Sequence, residues 1–246
     1  MSIEKINAAR EQIASTSAYK TLTAFFDEGS FTEIDAFVKS GDGFAEVTAG
    51  FGTVEGLPVY AFAQNSDICG GALSTAQGKK LKKLYSLALK TGAPVFGFYS
   101  SVGGRLTEGN DLLAGCGEVI KLASKASGVV PQVSVVLGDC LGTNALNAVS
   151  ADFVIMSENA QLSLDVTGKN ADTKYNFEHG TAAPVAKDKK CPSIMFEVDE
   201  DYVAANYPGG TWSVVLLDTR VFKLDADGKP VVTDGKREVA SKGDAS

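Results

Sequence analysis

Two short glycine-bearing stretches carry the residues whose types and spacing could do chemistry. They are Ser101-Val102-Gly103-Gly104-Arg105 and Gly138-Asp139-Cys140-Leu141-Gly142-Thr143-Asn144. Each follows an apolar run and precedes a helical pattern. A turn of this kind leaves backbone N–H groups unpaired at a helix N-terminus, where the helix dipole favours negative charge. Fixed donors at the point where charge develops are what an enolate oxygen needs. Two such turns, at Gly103 and Gly142, would bring two donor sets near one point. Either turn alone would serve equally as a tight strand-to-helix connection with no chemistry. Side-chain catalysts are scarce. The single histidine, His179, lies in the polar stretch 174–180, which reads as loop and offers no positioned partner. Cys69, Cys116, Cys140 and Cys191 form no CxxC pair, which argues against a zinc ribbon, and they are expected to be reduced.

At 246 residues, 44% hydrophobic and 22% charged, the chain has the composition of a soluble globular protein with a large core. A net charge of −7 argues against nucleic acid or an anionic membrane as partner, and leaves a phosphate-bearing ligand open. No run is long and apolar enough to span a bilayer. Met1-Ser2-Ile3-Glu4-Lys5 lacks the apolar core of a secretory signal, so a cytoplasmic location is expected.

These turns need elements to position them. Residues 3–26 read as one or two amphipathic helices, and 36–43 as loop. Residues 46–54 and 59–64 read as a hairpin joined through 55–58. The loop 65–74 ends at Ser74, a good N-cap for a helix over 75–90. The lysines of that helix, Lys79, Lys80, Lys82 and Lys83, read as a solvated face; the other reading has one or two of them steer a nucleotide phosphate. A buried strand leads into the first turn, and a helix over 112–126 stops near Gly128. A second buried strand leads into the second turn, at Gly142. A short helix over 144–149 and strands over 152–156 and 160–164 follow. Alternating strands and helices argue for a parallel sheet with right-handed crossovers. No GxGxxG follows the first strand and no GxxxxGK[ST] occurs, so neither nucleotide motif is supported.

Beyond Asp165 the periodicity fades. Residues 167–188 read as loop-rich, and 212–218 as a strand. Residues 221–224 and 230–232 read as a hairpin around Asp225-Ala226-Asp227-Gly228. The paired aspartates of that turn lack the later ligands of a calcium loop. The tail after Gly235 is expected to be disordered.

Several stretches, in consistent order from Phe26 to Leu164, resemble one family. They are Phe26-Asp27-Glu28-Gly29-Ser30-Phe31-Thr32-Glu33, Gly50-Phe51-Gly52-Thr53-Val54-Glu55-Gly56-Leu57-Pro58-Val59-Tyr60, Gly70-Gly71-Ala72-Leu73-Ser74 and Gly78-Lys79-Lys80. Leu87-Ala88-Leu89-Lys90-Thr91-Gly92-Ala93-Pro94-Val95 and Ala126-Ser127-Gly128-Val129-Val130-Pro131-Gln132 continue the series. The chain resembles the N-terminal, acyl-CoA-binding half of the carboxyltransferase component of biotin-dependent acyl-CoA carboxylases and decarboxylases.

The resemblance implies an α/β crotonase (ClpP-like) ββα superhelix, with a mainly parallel sheet flanked by helices. It implies a single N-type domain over 1–246: a helical segment 1–43, a core 44–165 and a divergent segment 166–246. It implies that an acyl-CoA α-carbon exchanges a carboxyl group, through an enolate, with biotin on a separate carrier protein. Gly70, Gly71 and Ala72 would line the coenzyme A pocket. N–H groups around Val102, Gly103 and Gly104, and around Gly142 and Thr143, would be the donors. The implied partners are a C-type carboxyltransferase subunit and the biotin carrier protein, in a homo- or hetero-oligomer. No metal is implied.

Departures from the family pattern keep two further readings open. The family usually has Ser-Gly-Gly-Ala-Arg at the first turn, where this chain has Val102 in place of the first glycine; Thr143 stands in place of the second glycine of a Gly-Gly pair. A non-catalytic architectural subunit with the same fold is one alternative. A stand-alone crotonase-type hydratase or isomerase is the other. It would need positioned carboxylates, and the nearest, Glu108 and Glu118, do not share a helical face and read as surface or cap residues.

Overall fold

The computed structural model describes residues 3–41, 43–157 and 160–163, with the backbone of five later strands. The chain divides into two compact units, Met1–Val215 and Leu216–Ser246.

In the first unit, α1 (Ile3–Ala14) and α2 (Ser17–Phe25) occupy the stretch expected to be helical. Thr16 caps α2, its hydroxyl accepting from the Tyr19 N–H. Ala18, Leu22 and Phe26 then pack onto Val59, Ala61 and Phe98 of the sheet, burying the apolar stripe that the 3.6-residue period places on one side. A small hairpin of β2 (Lys39–Ser40) and β3 (Gly43–Phe44) stands in the region read as loop.

The main sheet contains β1 (Thr32–Glu33), β4 (Val47–Val54), β5 (Leu57–Gln64), β6 (Val95–Ser101), β7 (Gln132–Leu141), β8 (Phe153–Ser157), β9 (Gln161–Ser163) and β10 (Ile194–Val198). Its order is β1-β4-β5-β6-β7-β8-β10, with β9 also on β7. The β1–β4 and β4–β5 pairs are antiparallel, and every pair from β5 to β10 is parallel. Val54 pairs with Leu57, so the β4–β5 connection is the two residues Glu55 and Gly56, both at positive φ.

Ser74 caps α3 (Thr75–Thr91), and Gly92 ends it in the left-handed conformation. The lysine face is not uniformly solvated, which corrects the sequence reading. Lys80 is 2% exposed, and its Nζ donates to Glu33 Oε1 at 2.6 Å and to the Val47 carbonyl at 3.1 Å. The cause is angular: position 80 shares the inward side with Gln77, Leu81 and Leu84. Burial pulls the Lys80 ammonium pKa down, and the Glu33 charge opposes that shift. Lys82 pairs with Glu118 and Lys83 with Asp35, both at the surface.

β7 runs on to Leu141, and Gly138 lies inside it. Tyr99 pairs with Val136 while Ser101 pairs with Cys140, so four steps along β7 face two along β6. The resulting bulge bends β7. Before the bulge β7 pairs with β8; beyond it Asp139, Cys140 and Leu141 pair with β9. The turn proper begins at Gly142. The helices α4 (Asn110–Ala126) and α5 (Thr143–Val149) follow the first and second turns.

In the second unit the backbone of β11 (Val221–Phe222), β12 (Val232–Thr233), β13 (Lys236–Arg237) and β14 (Val239–Ser241) is described. Among the described residues, Val221–Phe222 and Val232 do not pair with each other, as the expected hairpin of 221–224 with 230–232 would have them do. β11 pairs with β14, and β12 pairs with β13. Thr233 opposes Lys236, leaving Asp234-Gly235 as a two-residue connection, a stronger hairpin signal than Asp225-Ala226-Asp227-Gly228. The stretch after Gly235, expected to lack structure, supplies β13 and β14. His179, Cys191 and the stretches 167–188, 212–218 and 225–228 lie outside the described residues. Among the described residues no helix is long and apolar enough to cross a membrane, and no cluster of His, Cys, Asp and Glu could hold a metal ion.

Candidate functional site

Three glycine-bearing segments meet at the ends of β5, β6 and β7. The 65–74 loop makes a short 3-10 turn at Cys69–Gly71, with the Gly71 N–H donating to the Ile68 carbonyl and the Ala72 N–H to the Cys69 carbonyl. The chain then runs beside the first turn. The Val102 N–H donates to the Gly70 carbonyl at 3.1 Å, the Leu73 N–H to the Gly103 carbonyl at 2.7 Å, and the Arg105 N–H to the Leu73 carbonyl at 2.9 Å. Gly70, Gly71 and Ala72 therefore line the same edge as Val102, Gly103 and Gly104. Gly71 can be nothing else: an added Cβ would stand 2.1 Å from the Ser100 carbonyl oxygen.

The valine at the first turn carries no backbone strain. The positive φ falls on the next residue, Gly103, at 120°. Val102 is 47% exposed, and its methyl groups lie over Gly70. The bonds sort the amides expected as donors. Val102 N–H is held by Gly70, and Gly103 N–H by the Ser101 hydroxyl at 3.3 Å. Among the described residues, no hydrogen bond takes the Gly104 N–H.

The second turn reaches this place through Asn144. Its Nδ2 donates to Ser101 Oγ at 2.9 Å and to the Gly103 carbonyl at 3.2 Å. Its Oδ1 accepts from Gln64 Nε2 at 2.8 Å, and Gln64 Oε1 accepts from the Ser100 N–H at 3.1 Å. Gly142 and Thr143 enter the site as the start of α5, whose first N–H groups have no partner within the helix. Thr143 Oγ1 lies 3.6 Å from Cys116 Sγ on α4. Asn147, one helical turn on, donates to the buried Tyr99 hydroxyl. Burial raises the Tyr99 pKa well above its usual value and pushes Tyr85 up to about 12, so both phenols stay protonated.

Arg105, next along from the first turn, donates to Ser40 Oγ and, at 2.6 Å, to Glu46 Oε1; the other Glu46 oxygen accepts from Ser74 Oγ at 2.6 Å. Glu46 is fully buried. Glu108 accepts from the Thr75 N–H at 2.6 Å and so caps α3, while Glu118 bridges Lys82 and Lys121. Both glutamates have the cap and surface roles read from the sequence. Gln64 and Glu46 lie outside the two stretches that the sequence singles out, and Ser101 and Asn144 lie within them without an assigned role. Gln64 closes an apolar strand and Asn144 follows a turn, but neither position alone signals a partner.

The sheet and its flanking helices form a crotonase-type α/β fold, and the site is a junction of backbone amides. The chain belongs to the carboxyl transferase domain family, whose model matches residues 14–183. It is 38% identical over 207 residues to the propionyl-CoA carboxylase beta chain of Roseobacter denitrificans, covering 79% of this chain and 35% of that protein. It is 38% identical over 179 residues to the methylmalonyl-CoA decarboxylase subunit alpha of Veillonella parvula, covering 68% and 34%. Among solved structures it resembles transcarboxylase 12S, a hexamer with methylmalonyl-coenzyme A bound, with a TM-score of 0.70 and 25% identity over 93% of this chain and 51% of that one. The chain thus spans about a third of the length of these curated relatives.

Proposed function

We propose that this chain is the acyl-CoA-binding half of a biotin-dependent carboxyltransferase or decarboxylase. Its partners would be a separate C-type subunit and a biotin carrier protein, in the cytoplasm. The observation that carries this reading is the meeting of Gly70, Gly71 and Ala72 with the first turn, beside the start of α5. The donor set is made of amides, and it fits a thioester oxygen, which carries little charge in the ground state and a full charge as an enolate. In this reading Gly70, Gly71 and Ala72 let the coenzyme A chain approach the backbone. The amides of Gly104 and Thr143 hold the thioester oxygen, with Val102, Gly103 and Gly142 shaping the turns around them. The carrier's biotin, when bound, would supply the carboxyl group as carboxybiotin or take it up as free biotin.

One observation favours the architectural alternative: the Val102 methyl groups cover Gly70. A hydratase or isomerase finds less support, because Glu108 is engaged by the Thr75 N–H and Glu118 by Lys82 and Lys121.

Calorimetric titration with acetyl-CoA, propionyl-CoA and free coenzyme A tests the reading. Saturable binding that is lost in Gly71→Trp supports it. Absence of binding, persisting when a C-type partner is added, overturns it in favour of an architectural subunit.

A further inference from the structure

We propose that Asn144 is a positioning residue that aims the donor amide of the first turn and fixes its distance from the second. The inference rests on the reading above. Asn144 is 4% exposed, and its carboxamide is engaged through both Nδ2 and Oδ1. The Gly103 carbonyl accepts from three donors: Asn144 Nδ2 at 3.2 Å, the Leu73 N–H at 2.7 Å and Ser101 Oγ at 3.2 Å. That carbonyl and the Gly104 N–H belong to one planar trans peptide, so they point in opposite directions. Pinning the carbonyl inward turns the Gly104 N–H outward. Asn144 is also the second residue of α5, so the same bonds hold the Thr143 amide in place relative to Gly104. The buried Gln64 amide braces Asn144 from behind and ties it to the Ser100 N–H. Held this way, neither turn needs to reorganise as charge develops.

The test compares Asn144→Ala and Asn144→Asp with the wild type in two measurements. The first is amide hydrogen exchange over residues 101–105. The second is calorimetric affinity for acetyl-CoA and for free coenzyme A, with the C-type partner present if the wild type needs it. Asn144→Asp keeps the volume and removes the Nδ2 donor. Both variants are expected to exchange about tenfold faster over 101–105 and to bind acetyl-CoA about tenfold more weakly, with free coenzyme A unchanged. The split arises because only the thioester oxygen meets the turns. Unchanged exchange in a folded variant overturns the proposal, whatever the binding shows. So does equal weakening of both ligands, or full rescue by Asn144→Asp, either of which marks a packing role. Failure of the wild type itself to bind acetyl-CoA overturns the functional reading instead, and the exchange measurement still decides whether Asn144 couples the turns.

Discussion

Gly71 passes so close to Ser100 that a Cβ built on it would stand 2.1 Å from the Ser100 carbonyl oxygen. Real side chains do not make that contact, and Gly71 also sits at φ 68°. Gly71→Ala is expected to force the 65–74 loop away from β6, at a cost of roughly 2–4 kcal/mol. Chemical denaturation measures the loss. A variant as stable as wild type would mean that the loop shifts freely, and the close approach would then have no role in shaping the site.

Arg105 and Glu46 offer a second test. Glu46 is 0% exposed, and Arg105 is its cationic partner among the described residues. Arg105→Met leaves a buried carboxylate with two hydroxyl donors and no countercharge among the described residues, and is expected to cost about 3 kcal/mol. Replacing both residues by apolar ones of similar size should recover most of that loss. A denaturation midpoint for Arg105→Met equal to that of wild type would show that the ion pair contributes nothing.

Glu108 separates a carboxylate mechanism from an amide one. Burial acts to raise its pKa, but the bonds from Thr75 and the charge of Arg105 outweigh burial and hold it below the usual glutamate range. Glu108→Gln weakens the cap on α3 and should cost about 1 kcal/mol in thermal unfolding. Acyl-CoA binding should not change. Loss of binding in a stable Glu108→Gln protein would place this carboxylate in the chemistry and revive the hydratase reading.

Acid sensitivity should trace to Asp27. The Thr53 hydroxyl, then the Gly56 and Glu55 amides, hold its carboxyl below the usual aspartate range. A carboxyl whose pKa falls on folding adds stability that is fully present above its unfolded value, about 3.9, and is lost as pH drops through the lower folded value. Asp27→Asn should therefore melt below wild type at pH 7. The two melting curves should converge once the pH has fallen below that folded value. A gap that persists in strong acid would assign the effect to hydrogen-bond geometry instead of charge.

The elements around the site were readable because their signals are local. Ser74 meets the Gln77 N–H three residues on, and Gly92 closes the same helix. Each depends on a few neighbouring residues and survives in the sequence as a pattern. The lysine face shows where that stops. Four lysines in five positions read as a solvated stripe, yet Lys80 faces inward because Glu33, 47 residues away, is there to meet it.

By itself, then, the sequence determined the strand-and-helix order of the main sheet, the helix caps, the family and the two turns. Only the tertiary structure decided which amides remain available, because that depends on bonds between distant segments. Gln64 and Asn144 are 80 residues apart, and Asn144 and Gly103 are 41 apart. No local pattern encodes such a pair. The register of β5, β6 and β7, and the bulge that carries β7 on to Leu141, bring them together.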